Sequence, residues 1–308
     1  MSLRVVPVPG FGAEDVVVVP DGPLAGTVYT GTEDGAVFAV SADGQRIDRV
    51  GETHGRPLGL ELFDDGALLI CDAHRGLLRL DPSTGAIEVL FDAVAGNRMT
   101  FCNNAAIAAD GTIWLSDSST RYGIERWKDD FVQNTRTGRL LRRAPDGVVS
   151  VVLDGLAFAN GVALAADESY VAVAETGART VVRHWLTGSR RGETDYLVEG
   201  LPGYPDNIAR GSDGLIWVTI ASPVDPLVER LQRAPLWLRR AVTRLPEAVQ
   251  PAPKRTIRVQ AFDDAGTLVH DLDLASPHFH MVTGVREHRG QVWMGSLHEP
   301  AIAVHALG

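Results

Sequence analysis

Four residues of this chain, Glu14, Asn103, Asn160 and Asp206, carry oxygen donors and occupy one position in four matching runs of sequence. The runs are GAEDVVVVPDG (12–22), FCNNAAIAADG (101–111), FANGVALAADE (158–168) and YPDNIARGSDG (204–214), and each of the four stands third of eleven. Two carboxylates and two amides brought together make a poor apolar core, since a buried polar group without a partner is costly. They make a good cage for a hard dication. Calcium takes about six to eight oxygen ligands and accepts carboxylate, amide and water alike. Two acidic ligands would neutralise one Ca²⁺, whereas magnesium keeps more waters and zinc prefers the His or Cys that this set lacks. Asn and Asp beside turns also cap local backbone, so any one of the four alone reads as structural. The shared register of all four is what points to an ion. Asn104 and Asn207, one residue further along, are placed to add a ligand or to orient one.

These residues converge only if the elements carrying them are arranged around one axis. Two more runs, RPLGLELFDDG (56–66) and HMVTGVREHRG (280–290), follow the same pattern with Leu58 and Val282 in third place. Each of the six runs leads into a pair of β-rich stretches, such as GALLICDAHRGLLRLDPSTG and GQVWMGSLHEPAIAVHAL. The units recur at roughly 40 to 60 residues, the size of a four-stranded propeller blade. The expectation is an all-β, six-bladed β-propeller formed as a single domain by residues 1–308. In it the third position of every run lies beside the central channel at nearly one height. Two stretches exceed the repeat. TRYGIERWKDDFVQNTRT (120–137) is a polar and aromatic excursion inside the third unit. Residues 223–254, with Leu227, Leu231, Leu238, Val242 and Leu245, read as short amphipathic helices broken by prolines. They could pack on the rim, roof a pocket or lie on a membrane surface, although Arg239, Arg240 and Arg244 form only a small basic cluster.

Bulk properties narrow the partners. The chain has 308 residues, 45% of them hydrophobic, and a formal net charge of −10, which argues against nucleic acid and suits small molecules or cations. No secretory h-region and no run of about 18 apolar residues is present, so neither a signal peptide nor a membrane span is expected, and a cytoplasmic location is the default. Cys71 and Cys102 sit in apolar strand-like runs and read as buried free thiols. The G-x-S-x-G elbow, the Walker motif and the dinucleotide fingerprint are all missing. The sequence leaves oligomeric state open.

The stretches FCNNAAIAADGTIWLSDSS, LAFANGVALAADESYVAVAETG and LPGYPDNIARGSDGLIWV resemble the gluconolactonase/strictosidine synthase-like superfamily of six-bladed propellers, and the resemblance covers essentially the whole chain. It implies a catalytic Ca²⁺ in the channel, with Glu14, Asn103, Asn160 and Asp206 matching the superfamily's Glu, Asn, Asn and Asp ligands. It also implies a lactonase or esterase acting on a small-molecule lactone or ester. Three departures narrow that expectation. Sugar-lactonase members carry an Arg where this chain has Phe101, and Phe158 and Tyr204 stand at the equivalent places, so an aromatic rim would favour a less polar substrate unless all three serve packing. Paraoxonase-like members place a catalytic His where this chain has Leu58. Strictosidine synthases carry a catalytic Glu where Thr283 stands and lose the metal ligands, so alkaloid condensation is not expected. Asp206 is then the expected catalytic residue: besides ligating the ion it would position or deprotonate the attacking water, the preferred route, or attack directly as nucleophile. His280 is the foremost proton-shuttle candidate, followed by His54, His74 and His298. The alternatives are a propeller that serves only as a binding or scaffolding module around a structural ion, and a promiscuous phosphotriester hydrolase.

Overall fold

The computed structural model describes residues 3–246, 250 and 252–308. Six four-stranded antiparallel sheets follow one another along the chain. Blade 3 is typical: its inner strand Cys102–Ile107 is followed by Ile113–Asp117, Gly138–Arg143 and the outer strand Val149–Leu156. The sixth blade is composite. Its inner three strands, Val282–His288, Gln291–Ser296 and Ala301–Ala306, come from the C-terminal end, and Arg4–Pro7 supplies the outermost one. That pairing, Arg4 opposite Val304 through Pro7 opposite Ala301, ties the two ends of the chain into one sheet and closes the ring. Closure leaves no open sheet edge between first and last blades, which is how propellers manage their edges.

Burial explains why the middle strands read as unbroken apolar runs while the outer ones alternate. Leu68–Asp72 and Tyr170–Glu175 are buried at every residue, because both faces pack on neighbouring blades. Outer strands such as Leu268–Leu274 bury no residue fully and only half-cover alternate ones. The core is accordingly divided into interfaces between successive blades. Val17, Tyr29 and Val37 of blade 1 meet Leu60, Leu68 and Leu78 of blade 2. Cys71 and Leu77 of blade 2 meet Cys102 and Leu115 of blade 3. The same arrangement continues around the ring and closes where Val16 and Val28 meet Trp293 and Ile302. Cys71 and Cys102 are free and buried, as their apolar settings predict.

Both excursions form helices. Between the second and third strands of blade 3 lies α1 (Trp127–Gln133), and within blade 5 lie α2 (Pro226–Gln232) and α3 (Leu236–Val242). Asp225 caps α2 by accepting a hydrogen bond from the Leu227 amide at 2.8 Å, with Pro226 at the first helical position. The helices are sewn together by side chains: Gln232 Nε2 donates to the Phe131 carbonyl at 2.9 Å, and Gln133 Nε2 donates to Thr243 Oγ1 at 3.0 Å. The apolar pattern of 223–254 is only partly a buried face. Val228 is the buried residue of α2, whereas Leu227, Leu238 and Leu245 are exposed, contrary to the amphipathic reading. Prolines 226 and 235 keep each helix to two turns, too short for one face to be set by a heptad-like stripe. Residues 247–249 and 251 of this excursion lie outside the described residues.

Candidate metal centre and substrate pocket

A local irregularity aims the donors at the axis. In blades 2 to 5 the pairing of the inner strand with its neighbour slips just where the third and fourth residues of the run stand, as between Cys102 and Ala105 or between Ala159 and Val162. In blade 6 the slip falls between Val282 and Val285, so Thr283 holds the equivalent place and Val282, third in the run as the sequence aligns it, stays in the ladder. Such a bulge leaves residues unpaired with the ladder and re-aims their side chains. In blade 1 the inner strand begins only at Val16, after Glu14 and Asp15. Glu14, Asn103, Asn160 and Asp206 all line one cavity at the channel, and the first three are buried.

The polar contacts of this set leave its oxygens facing inward. Asn103 Nδ2 donates to Ser118 Oγ at 2.9 Å, and the Ser118 hydroxyl donates onward to the Ala159 carbonyl at 2.6 Å. With its one proton committed, Ser118 can only accept from Asn103, which fixes the amide and turns Oδ1 away. Asn160 Nδ2 donates to Thr176 Oγ1 at 3.2 Å, and Asn207 Nδ2 donates to both Glu14 carboxylate oxygens at 3.4 Å. The Oδ1 atoms of Asn103, Asn160 and Asn207 are buried without a hydrogen-bond partner. Three orphaned amide oxygens beside two carboxylates are unfavourable by themselves, and they fit a hard cation that accepts oxygen ligands. Among the described residues no group of three or more His, Cys, Asp or Glu gathers to hold a metal, and this set draws most of its donors from amides instead.

Electrostatics point the same way. Burial, then the charges of Asp206 and Asp15, hold the Glu14 carboxyl well above the usual carboxylate range, and the nearby Arg56 guanidinium offsets only part of this. Arg56 is itself paired with Glu33 at 3.0 Å. Burial likewise lifts Asp206 to about 7, against the opposing hydrogen bond from Asn160. Two carboxyls this reluctant to ionise together ask for a positive charge between them. Asp15 faces elsewhere: its oxygens accept from the Val16 and Leu60 amides at 2.9 Å each, and Arg286, half-buried and paired with Glu61, lies near it.

The two flanking asparagines take different parts. Asn104 Oδ1 accepts from the Val162 amide at 2.9 Å and its Nδ2 reaches Asp15 at 3.3 Å, so its oxygen is committed to joining blades. Asn207 keeps its oxygen open, as a further ligand would. Thr283 donates to the Glu14 carbonyl at 2.8 Å and props that residue from blade 6.

Above the donors the cavity is walled by apolar groups. Leu58, Phe101, Phe158 and Tyr204 all line it, together with Trp127, Phe131 and Val132 from the first excursion and Val228 from the second. Phe101 and Phe158 meet edge to face at 5.4 Å, and Phe131 and Tyr204 do the same at 4.8 Å. The excursion residues could not be assigned to this wall from sequence, because blades 3 and 5 meet over the channel only in the folded ring. Ser118 and Thr176 were missed although a signal existed: each follows the second strand of its blade and returns its amide to the first residue of the run, at Phe101 and Phe158.

The histidines stand apart from this cavity. The sequence puts His280 first as a proton shuttle, but its Nδ1 pairs with the Glu299 carboxylate, its Nε2 lies 3.4 Å from Arg255, and its ring is 5.7 Å from that of His298. Its chain neighbour Met281 lines the cavity and His280 does not. His54 is exposed, and His74 bonds Glu125 at 2.6 Å on the surface. Burial, seconded by His280, lowers the His298 pKa.

Blades and ring closure define a six-bladed β-propeller with an oxygen-lined channel. The chain belongs to the strictosidine synthase-like family, as its likeness to the relatives below shows, and the strictosidine synthase family pattern matches residues 103–189. It is 32% identical to the adipocyte plasma membrane-associated protein of Rattus norvegicus, over 94% of this chain and 82% of that protein. It is 30% identical to the protein strictosidine synthase-like 6 of Arabidopsis thaliana, over 89% of this chain and 73% of that one. Among solved structures, a gluconolactonase of Xanthomonas campestris superposes with a TM-score of 0.71 at 16% identity, covering 99% of this chain and 89% of that chain. The calcium-binding protein regucalcin of Agrobacterium tumefaciens superposes with a TM-score of 0.66 at 13% identity, covering 98% and 91%.

Proposed function

We propose that this protein is a calcium-dependent hydrolase of small lactones or esters with an apolar body. The observation that carries the reading is the pair of unpartnered amide oxygens, of Asn103 and Asn160, and the two carboxyls that line one aromatic cavity, with the unpartnered oxygen of Asn207 next to Glu14. Glu14, Asn103, Asn160 and Asp206 would hold the ion, with Asn207 as a further oxygen. A calcium ion held there supplies a Lewis acid that polarises a substrate carbonyl and offsets oxyanion charge. The protein's own part is to place the substrate and move a proton. Phe101, Phe158, Phe131 and Tyr204 pack the acyl or ring portion, exclude water from it and turn its carbonyl toward the channel floor. Asp206, partly exposed to the cavity, accepts the proton of the attacking water at its carboxylate. No histidine is among the residues that line the cavity, which leaves this role to Asp206.

Support also comes from the fold, which serves a gluconolactonase and a calcium-binding protein among its solved members. The test is a panel of lactones, aryl esters and phosphotriesters, assayed with and without EGTA. Turnover of lactones or esters is expected, lost with chelator and reduced at least 100-fold in Asp206→Asn, in line with loss of a general base. Activity that survives both treatments would sink the mechanism. Turnover of nothing on the panel while calcium still binds would favour a binding module around a structural ion.

A further inference from the structure

We infer that helices α2 and α3 form a docking surface for an anionic lipid bilayer. Of the thirteen large apolar residues that stand exposed among the described residues, five lie in the short stretch 227–245: Leu227, Leu236, Trp237, Leu238 and Leu245. The other eight are spread from Phe11 to Val269 over the rest of the chain. Trp237 is the most open of the thirteen, with 71% of its surface exposed. Scattered single apolar residues are ordinary on a soluble surface, whereas a cluster of this kind marks a place where something else covers it.

The helices gain little from the propeller to explain that exposure. α3 buries none of its residues and α2 buries only Val228. Polar stitches hold them down: Arg239 donates to the Gln133 carbonyl, and Thr243 and Gln232 make the bonds described above. The outward side is therefore available to a partner without uncovering the core.

Charge identifies that partner. The whole chain carries −10, yet residues 226–245 hold Arg230, Arg233, Arg239, Arg240 and Arg244 against the single acid Glu229, a local balance of five minus one, or +4. Glu229 is already shared between Arg179 and Arg233. Arg230 and Arg244 are exposed and make no ion pair among the described residues. A partner that covers this stretch must therefore be both apolar and negatively charged. An anionic bilayer supplies both in the right order: leucines and tryptophan enter the headgroup and acyl boundary, and arginine stems run alongside while their guanidinium groups stay with phosphates. Tryptophan favours that same interface. Because Val228 of α2 lines the cavity on its inner side, the docked face would be the outer side of the cavity's roof. The inference rests on the helices alone and stands whether or not the cavity is hydrolytic.

The test is co-sedimentation of the full chain with vesicles of phosphatidylcholine alone or mixed with phosphatidylglycerol. Binding to the mixed vesicles is expected, at least tenfold tighter than to phosphatidylcholine and weakened by salt. Leu236→Glu with Trp237→Glu should reduce it at least tenfold. Arg230→Glu with Arg244→Glu should reduce it about 25-fold or more, since each basic residue near such a surface is worth roughly fivefold. These residues are exposed, so the variants should melt like the parent. Fluorescence lost only when Trp237 is present, on mixing with vesicles of brominated lipid, would place that residue in the bilayer. Absence of vesicle binding, or binding indifferent to both variants, overturns the proposal. So does a Trp237-dependent dimer in sedimentation that vesicles fail to dissociate, which would assign the face to a second copy of this chain.

Discussion

Asn103 and Asn160 serve a cation only while their carbonyl oxygens face the channel, and one hydroxyl decides that for each. Ser118 and Thr176 accept the amide protons and leave Oδ1 unpartnered inside. Groups that orient a ligand without touching the ion are commonly worth 10–100-fold in affinity, to order of magnitude. Thr176→Val should therefore weaken Ca²⁺ binding by about tenfold in calorimetry, with little change in melting temperature of the chelated protein. Unchanged affinity would mean that Asn160 is held some other way or is no ligand. Glu14→Gln should weaken binding more steeply, because it removes formal charge as well as a strong acceptor. His280 lies outside the cavity lining, and the Glu299 carboxylate at its Nδ1 orients the imidazole there.

At the scale of elements, the channel is built by alternating bulk and its absence on neighbouring inner strands. Asp15, Asn104 and Asn207, each next to a donor position, nest against Gly284, Gly59 and Gly161 of an adjacent blade. A Cβ on Gly59 would stand 2.6 Å from Asn104 Cα, and one on Gly284 2.5 Å from Asp15 Cα. One on Gly161 would stand far inside van der Waals contact with the Ile208 amide nitrogen. None of these three glycines has positive φ, so the need is for close approach between strands rather than for backbone freedom. Gly161→Ala should cost about 3 kcal/mol or more by denaturant melting, since rigid backbone cannot step aside as a flexible side chain can. A loss below about 1 kcal/mol would show that blades 4 and 5 slide apart easily.

The whole molecule couples ion, pH and stability. Unfolded carboxyls titrate near 4, whereas Asp206 sits at about 7 in the fold and Glu14 is raised well above its usual value. Between those values the folded chain keeps protons that the unfolded chain has released, so stability of the calcium-free protein falls as pH rises through that window. The contribution is fully present below about 4 and lost above about 7. Bound calcium replaces those protons and should relieve the penalty. The rise in melting temperature on adding Ca²⁺ is thus expected to be larger at pH 8 than at pH 5.5. An equal rise at both values would count against Glu14 and Asp206 as ligands.

The repeat and its donors are local facts, and the sequence by itself determined them. Turn residues close each eleven-residue run, the third place holds Glu14, Asn103, Asn160 and Asp206, and buried middle strands show as unbroken apolar stretches. From these a six-bladed ring follows, because only a ring brings equivalent positions of successive units to one axis. Other features depend on approach between separate segments of the chain, and only the tertiary structure decided them. The strand irregularities that aim the donors turn on the neighbouring strand of the same blade, the separation of Asn207 from Asn104 turns on Val162 of the next blade, and the pairing of His280 with Glu299 forms within blade 6. The same holds for the cavity's roof, where excursions of blades 3 and 5 meet over the channel and leave Trp237 facing outward. Apolar character alone cannot say which side of a short helix is covered; that depends on which surface the folded ring presents to it.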